Sequence, residues 1–183
     1  MDLPDLGSLI GPMLSASDDV VHASGAGVEA GVHWPEEYWR WRGASRLAAD
    51  GRVVTSGPEG TRVRMPNGYA DSTPRPSDWL GWTDRLLHPR HLYLWGRTGE
   101  DWRLGDVIGW SREVEDTVEV SVHHLTDGRV GAAHVHPASG RVMSLSLPGW
   151  VTWELTSVDD APDVGAWPLR RWFEGVLPNN CFS

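Results

Sequence analysis

The sequence predicts a mainly β (α+β) fold built on one strongly curved antiparallel sheet, and three observations predict it. Apolar and polar residues alternate along most of the chain, as they do in strands with one buried face. Pairs of Gly, Asp, Asn and Pro separate these runs at the spacing of hairpin turns. Helical periodicity is confined to residues 3–14, 77–95 and 167–177.

Each element rests on a local signal. A period of two predicts a strand over 28–34, and Asp50 and Gly51 predict a two-residue hairpin turn. Residues 71–76 are predicted to be loop by composition, and Ser77 is the expected N-cap of the second helix. The predicted elements are an N-terminal helical segment (3–24), antiparallel strands (26–66), a helical lid (77–95), further antiparallel strands (101–158) and a C-terminal helix (167–177).

Length, charge and cysteine content limit the class of protein. A chain of 183 residues is expected to form a single domain, and one cysteine, Cys181, permits no intrachain disulfide. Acidic residues follow Met1, and no apolar run reaches the ~20 residues of a membrane span, so a cytoplasmic protein without membrane insertion is expected. A formal charge of −9 argues against nucleic-acid binding and disfavours an acidic partner.

Side-chain parity through the strands after residue 117 predicts one concave apolar face, covered by helices. This face also holds His124 beside Ser144 and Ser146. The opposite face carries the charged residues and is expected to meet solvent. The apolar face collects Val118, Val120, Val122, Ala133, Val135, Val142, Val151, Trp153 and Leu155.

The histidines leave two alternatives open. His123, His134 and His136 share the polar face with Glu119, a set that could bind zinc or iron. An exposed polar sheet face explains the same pattern and is preferred, so neither a metal nor a cofactor is predicted. On the apolar face, a neutral His124 could be either a general base or a buried structural histidine, and the latter is preferred.

Twelve tryptophans suggest the kind of partner. An indole is large and apolar but needs a hydrogen-bond partner, so a tryptophan-rich surface suits a cavity for an apolar or aromatic small molecule. The expected ligand-binding residues are Trp39, Trp41, Val120, Val135, Trp153 and Leu155.

Three functions therefore remain possible at this point. The preferred one is a binding protein for an apolar, aromatic or lipid-like ligand. The second is a cofactor-independent cyclase or isomerase, with His124, Tyr93 and the indole of Trp153 as candidate polar groups. The third is a protein-interaction module.

Four sequence stretches resemble a known family, namely LLHPRHL (86–92), VIG (107–109), VHPASGRVMSL (135–145) and WELTSV (153–158). Over residues 26 to 160 the chain resembles the actinobacterial, LolA-like and LppX-like branch of the outer-membrane lipoprotein carrier superfamily. This resemblance implies a curved antiparallel half-barrel, closed by helices over an apolar cavity for acyl chains.

Overall fold

A computed structural model describes residues 2–15, 21–77, 80–160 and 171–178. The described helices are α1 (Leu6–Leu14), α2 (Trp82–Leu87), a 3-10 helix (Pro89–His91) and a single helical turn at residues 171–173. The strands are β1 (Val21–Glu29), β2 (Val32–Trp41), β3 (Ala44–Ala49), β4 (Arg52–Gly57), β5 (Gly60–Arg64), β6 (Ala70–Thr73), β7 (Trp102–Trp110), β8 (Val118–His124), β9 (Val130–Val135), β10 (Val142–Leu147) and β11 (Val151–Asp159).

All eleven strands belong to one sheet, in the order β6-β5-β4-β3-β2-β1-β11-β10-β9-β8-β7. The sheet is open, because β6 and β7 lie at its two edges and do not pair with each other. The predicted fold class, mainly β with an antiparallel sheet and a few helices, is confirmed. Among the described residues, no helix has the length and apolar character needed to span a membrane.

The chain divides into two compact units, which are described separately. The first unit comprises Met1–Ser17, Gly27–His33 and Arg85–Leu155. The second comprises Asp18–Ala26, Trp34–Asp84 and Thr156–Ser183. The single-domain organisation stays a prediction.

Tight turns shape the first half of the sheet. The hairpin predicted at 50–51 is confirmed, with φ angles of +46° and +72° at its two residues. The chain reverses in the same way at 30–31, where an alanine takes a φ of +50°. A continuous strand over 28–34 is therefore the wrong interpretation, because alanine carries no turn signal and the apolar alternation runs through the turn.

Two further boundaries differ from the sequence-based expectation. Strand β1 begins at Val21, so residues 21–24 are extended where a helical segment was predicted. Strand β6 occupies 70–73 and so overlaps the predicted loop (71–76), and it pairs with β5 so that Arg64 lies opposite Ala70. All four residues of β6 are exposed, and an exposed edge strand lacks the apolar alternation by which strands are recognised.

A β-bulge in β10 reverses the predicted side-chain facing of that strand beyond Val142, while Val151 and Trp153 of β11 keep the facing predicted for them. Val142 lies opposite Val135, as the parity argument requires, and the register then shifts between Val142 and Ser144. Beyond the shift Ser144 lies opposite His134, so it points to the polar face instead of lying beside His124. One extra residue in a strand is invisible to a pattern of period two.

The bulge places larger apolar side chains on the apolar face of the first unit than the sequence predicted. Whereas the predicted parity put Ser144 and Ser146 of β10 on the apolar face, Trp153 lies opposite Leu145 and Val151 lies opposite Leu147. All four of these side chains are almost inaccessible to solvent. The face is thus a packed core at this position.

Helix α2 is shorter than predicted because its N-terminal cap comes from another part of the chain. The Glu36 carboxylate accepts hydrogen bonds from the backbone N–H groups of Thr83 (2.8 Å) and Trp82 (3.4 Å). The expected cap, Ser77, instead donates its N–H to the Ser56 hydroxyl at 2.7 Å. Residues 78 and 79 lie outside the described residues, and only 82–87 and 89–91 of the predicted 77–95 are helical.

The buried cap makes stability depend on pH. Burial raises the pKa of Glu36 above its ordinary value of 4.5, against the hydrogen bonds from Thr83 and Trp82. The folded chain therefore holds the proton more tightly than the unfolded chain, and stability falls as the pH rises from 4.5 through the folded-state pKa. Glu36→Gln keeps an acceptor oxygen but cannot ionise.

We expect the free energy of unfolding of Glu36→Gln, relative to that of the wild type, to increase from pH 4.5 to about 7. Urea denaturation at several pH values measures this difference. A difference that stays constant across the range would contradict the burial of this carboxylate.

The C-terminal segment is helical at residues 171–173, while residues 167–170 of the predicted helix lie outside the described part of the chain. The helix ends at Phe173, not at residue 177, because Gly175 adopts a φ of +76° and turns the chain back. The N–H groups of Val176 and Leu177 both bond to the carbonyl of Phe173, at 3.1 and 3.2 Å. The segment packs into a buried cluster of Trp39, Ala44, Phe173, Val176 and Leu177.

Candidate functional site

The candidate site is a cavity of about 720 Å³ in the second unit, a size typical of small-molecule sites. Strands β3 to β6 and the C-terminal segment supply its walls. We call it the arginine cavity. Its lining residues are Arg46, Val53, Thr55, Arg62, Val63, Arg64, Ala70, Asp71, Ser72, Arg171 and Trp172.

The strand register explains why arginines gather on the floor of the cavity. Arg46 lies opposite Thr55, Thr55 opposite Arg62, and Arg62 opposite Ser72, which forms one row across β3, β4, β5 and β6. Arg64 lies two residues beyond Arg62 and therefore points to the same face. The floor is thus one face of a four-stranded region.

The C-terminal segment forms the opposing wall and is held there by two of the floor arginines. The Arg46 guanidinium carbon lies 4.8 Å from the ring centre of Trp172, a cation–π contact. Arg62 donates from Nη1 to the backbone carbonyl of Glu174 at 2.9 Å. These contacts place the indole of Trp172 beside the guanidinium groups.

The cavity is positively charged in a strongly acidic chain. Four arginines and one acid line it, which leaves a formal charge of +3, against −9 for the whole sequence. Among the described residues, no ion pair neutralises Arg46, Arg62 or Arg64. The overall charge therefore does not describe this site, and the inference that it disfavours an acidic partner does not extend to the cavity.

The surroundings of Arg46 in the cavity disfavour its charged form. Burial lowers the pKa of Arg46, the Glu37 carboxylate opposes the effect, and repulsion from Arg64 adds to it. Its Nη1 is buried and has no hydrogen-bond partner within the described part of the chain. An unsatisfied buried donor costs about 1–3 kcal/mol, so an acceptor reaching this guanidinium would stabilise it.

An aromatic cluster lies next to the cavity wall. The rings of Trp172 and Trp39 are 5.1 Å apart, and Trp39 stacks on His22 at 3.7 Å with an angle of 13° between the planes. His22 also approaches the Glu37 carboxylate at 3.3 Å. Trp39 therefore supports Trp172 from the side and is not itself a lining residue of the arginine cavity.

The six predicted ligand-binding residues are divided between the two units. Trp39 and Trp41 belong to the second unit, where Trp41 contacts Phe173 with ring centres 5.9 Å apart. Val120, Val135 and Trp153 are buried in the first unit, and Leu155 is partly exposed there. Their role in ligand binding stays a prediction.

The two candidate catalytic residues both have local structural partners. His124 Nδ1 lies 2.8 Å from the Asp127 carboxylate, which also accepts a hydrogen bond from Arg129 at 2.6 Å. The guanidinium carbon of Arg85 lies 4.6 Å from the ring centre of Tyr93, and Tyr93 is 41% exposed. Neither lines the arginine cavity, and a catalytic role stays a prediction for both.

The three histidines of the polar face have separate partners. Within the described ranges, no three His, Cys, Asp or Glu side chains are grouped so that they could hold a metal ion. The expectation that this face is fully exposed is wrong at His134, which retains only 7% of its accessible surface. The imidazoles hydrogen-bond to different serines: His123 with Ser121 (3.0 Å), His134 with Ser144 (2.8 Å) and His136 with Ser139 (3.0 Å).

Comparisons with known proteins find similarity only at the level of structure. No protein-family model matches the chain, and no curated protein matches it. The structure resembles crystal structures of MucB alone (15% identity, TM-score 0.46) and of MucB in complex with MucA(peri) (15%, 0.47). It also resembles the Pseudomonas aeruginosa MucA/MucB complex (16%, 0.48).

These alignments cover 88–89% of this chain but only 58–61% of the matched chains. The chain thus spans about three fifths of the length of the MucB structures. Because the TM-scores are below 0.5, we base no conclusion about function on them. Membership of the lipoprotein carrier superfamily stays a prediction.

Proposed function

We propose that this protein binds an anionic small molecule in the arginine cavity. The guanidinium groups hold the anion, and the apolar or aromatic remainder of the ligand lies against Trp172. The observation that carries the proposal is the formal charge of +3 on the residues that line one cavity in a chain of charge −9. The sequence-based hypothesis of a small-molecule binding protein is kept, and negative charge is added to its ligand.

The chemistry of the lining favours such a ligand. Guanidinium groups bind carboxylates and phosphates through paired, charge-assisted hydrogen bonds, which are roughly twice as strong as neutral ones. An anion would also offset the repulsion between Arg46 and Arg64, which adds to the effect of burial on the pKa of Arg46. Relief of this repulsion would make the free energy of binding more favourable.

The remaining lining residues suit the organic part of a ligand. Val53 and Ala70, which lie opposite Arg64 on the neighbouring strands, offer apolar contacts, and Trp172 offers a half-buried flat ring. A ligand that carried charge alone would leave these contacts unused. We therefore expect an amphipathic ligand, either aromatic or lipid-like, with an acidic group.

Isothermal titration calorimetry with paired ligands tests the proposal. Benzoate and decanoate carry the anionic group that benzyl alcohol and decanol lack, and we expect only the acids to bind. Arg46→Gln should weaken their binding by roughly 10-fold to 100-fold, since a hydrogen bond to a charged group contributes about 1.5–3 kcal/mol. Arg64→Gln should act in the same direction and less strongly, because Arg64 is exposed and its charge is screened.

Arg52→Gln is the matched control. Arg52 is an exposed arginine on β4, and its position in the strand alternation directs it away from the face that holds Val53 and Thr55. We expect its binding constants to equal those of the wild type. Equal affinity for the acids and the alcohols, or equal losses in Arg46→Gln and Arg52→Gln, would contradict the proposed function.

A further inference from the structure

We infer that the arginine cavity selects a dianionic phosphate monoester over singly charged acids. This inference rests on the proposed function and names the ligand class of the same site. The shared chemistry is a terminal phosphate on an aromatic or apolar group, whether the source is an aromatic ester or a lipid headgroup.

The charge of the lining is the first argument. Arg46, Arg62 and Arg64 together with Asp71 carry a formal charge of +2, so a bound monoanion leaves one positive charge uncompensated, while a dianion leaves none. Burial is the main cause of the lowered pKa of Arg46, the Glu37 carboxylate opposes it, and repulsion from Arg64 adds to it. A second negative charge therefore gains additional binding free energy in this cavity.

The arrangement of the donors is the second argument. Arg46 and Arg62 flank Thr55 on the two neighbouring strands, so their Cα atoms are about 9 to 10 Å apart. Arg64 lies about 7 Å along β5 from Arg62. Three guanidinium groups at different positions on one sheet face can each donate to a separate oxygen of a tetrahedral group, which offers three terminal oxygens, whereas a planar carboxylate offers two.

Two hydroxyl groups extend the same row of donors. Thr55 lies between Arg46 and Arg62, and Ser72 lies next to Arg62 on the outer strand β6. Both line the cavity, and a hydroxyl can donate to a phosphate oxygen that the guanidinium groups do not reach. The floor thus presents alternating charged and neutral donors over a width of four strands.

Phenyl phosphate and phenyl sulfate provide the test, because they share the ring and the tetrahedral group. The sulfate ester stays a monoanion, while the phosphate monoester loses its second proton with a pKa of about 6. Calorimetry at about pH 7.5 should give an affinity for phenyl phosphate roughly 10-fold above that for phenyl sulfate. At about pH 5 the difference should shrink to within roughly threefold, since phenyl phosphate is then mainly a monoanion.

Phenyl sulfate also reports any change in the protein's own charges over this range, including those of Asp71, Glu37 and His22 near the cavity. Arg64→Gln should reduce the preference for phosphate at about pH 7.5, and Arg52→Gln should leave it unchanged. Inorganic phosphate and dihexanoyl phosphatidate complete the series. Tighter binding of phosphatidate than of phenyl phosphate assigns the lipid source, and the reverse order assigns the aromatic source.

The outcomes separate this inference from the proposed function. Equal affinity for phenyl phosphate and phenyl sulfate at about pH 7.5, with both weakened by Arg46→Gln, overturns dianion selection and leaves anion binding intact. Absence of binding by both esters and by benzoate and decanoate overturns both.

Discussion

Trp153→Ala is expected to lower the free energy of unfolding by about 3–5 kcal/mol, the range for truncating a buried tryptophan. Trp153 is 1% exposed, and it lies opposite Leu145 on the apolar face of the first unit. Gly27 packs so closely against its ring and backbone that no side chain fits between them. Urea denaturation followed by circular dichroism measures the loss.

The matched control for this prediction is Trp110→Ala. Trp110 lies at the end of the edge strand β7 and is 37% exposed, so its truncation should cost less than about 1 kcal/mol. Equal losses in the two variants would show that Trp153 is not a core residue. Trp153 does not line the arginine cavity, so the proposed function predicts wild-type ligand affinity for folded Trp153→Ala, whereas the ligand-binding residues expected from the sequence predict a loss.

Gly57→Val is expected to remove both stability and ligand binding, because it separates the C-terminal segment from β4. A Cβ at Gly57 would overlap the backbone carbonyl of Val176. Phe173, Val176 and Leu177 would then lose part of their burial, and each fully buried side chain contributes about 1.5–3 kcal/mol. We expect a loss of several kcal/mol in the free energy of unfolding, together with loss of the wall that Trp172 provides.

Gly109→Val serves as the control for the added side chain. A Cβ at Gly109 has no atom within 4 Å, and the residue lies on β7 in the first unit. The control should keep wild-type binding and nearly wild-type stability. Retention of full binding affinity by Gly57→Val would contradict the assignment of the C-terminal segment to the cavity wall.

The fold was predictable where local chemistry determines structure. The turn at 50–51 follows from the preference of Asp-Gly for positive φ, and the meander follows from alternating residues between such turns. The cap of α2 was not predictable, because Glu36 lies 47 positions before Thr83 and only tertiary structure joins them. The bulge after Val142 was hidden for a different reason, since an inserted residue leaves the composition of the strand unchanged.

The candidate site could be predicted only in part from the sequence. The two-residue turn at 50–51 already places Arg46 opposite Thr55, and the alternation of Arg62 and Arg64 predicts a basic strand face. The formal charge of −9 for the whole chain conceals this local excess of arginines. No sequence rule places Trp172, more than a hundred residues later, against these arginines.

Because β6 is an edge strand, the part of the cavity floor that it forms is expected to open locally. Within the described part of the chain β6 pairs with β5 alone, and all its side chains are exposed. Its amide hydrogens are therefore expected to exchange with solvent sooner than those of β4. Yet β6 contributes Ala70, Asp71 and Ser72 to the lining. A ligand that contacts these residues would order β6, and the conformational entropy that the strand loses would reduce the affinity. Slower exchange of the amide hydrogens of β6 would then accompany ligand binding.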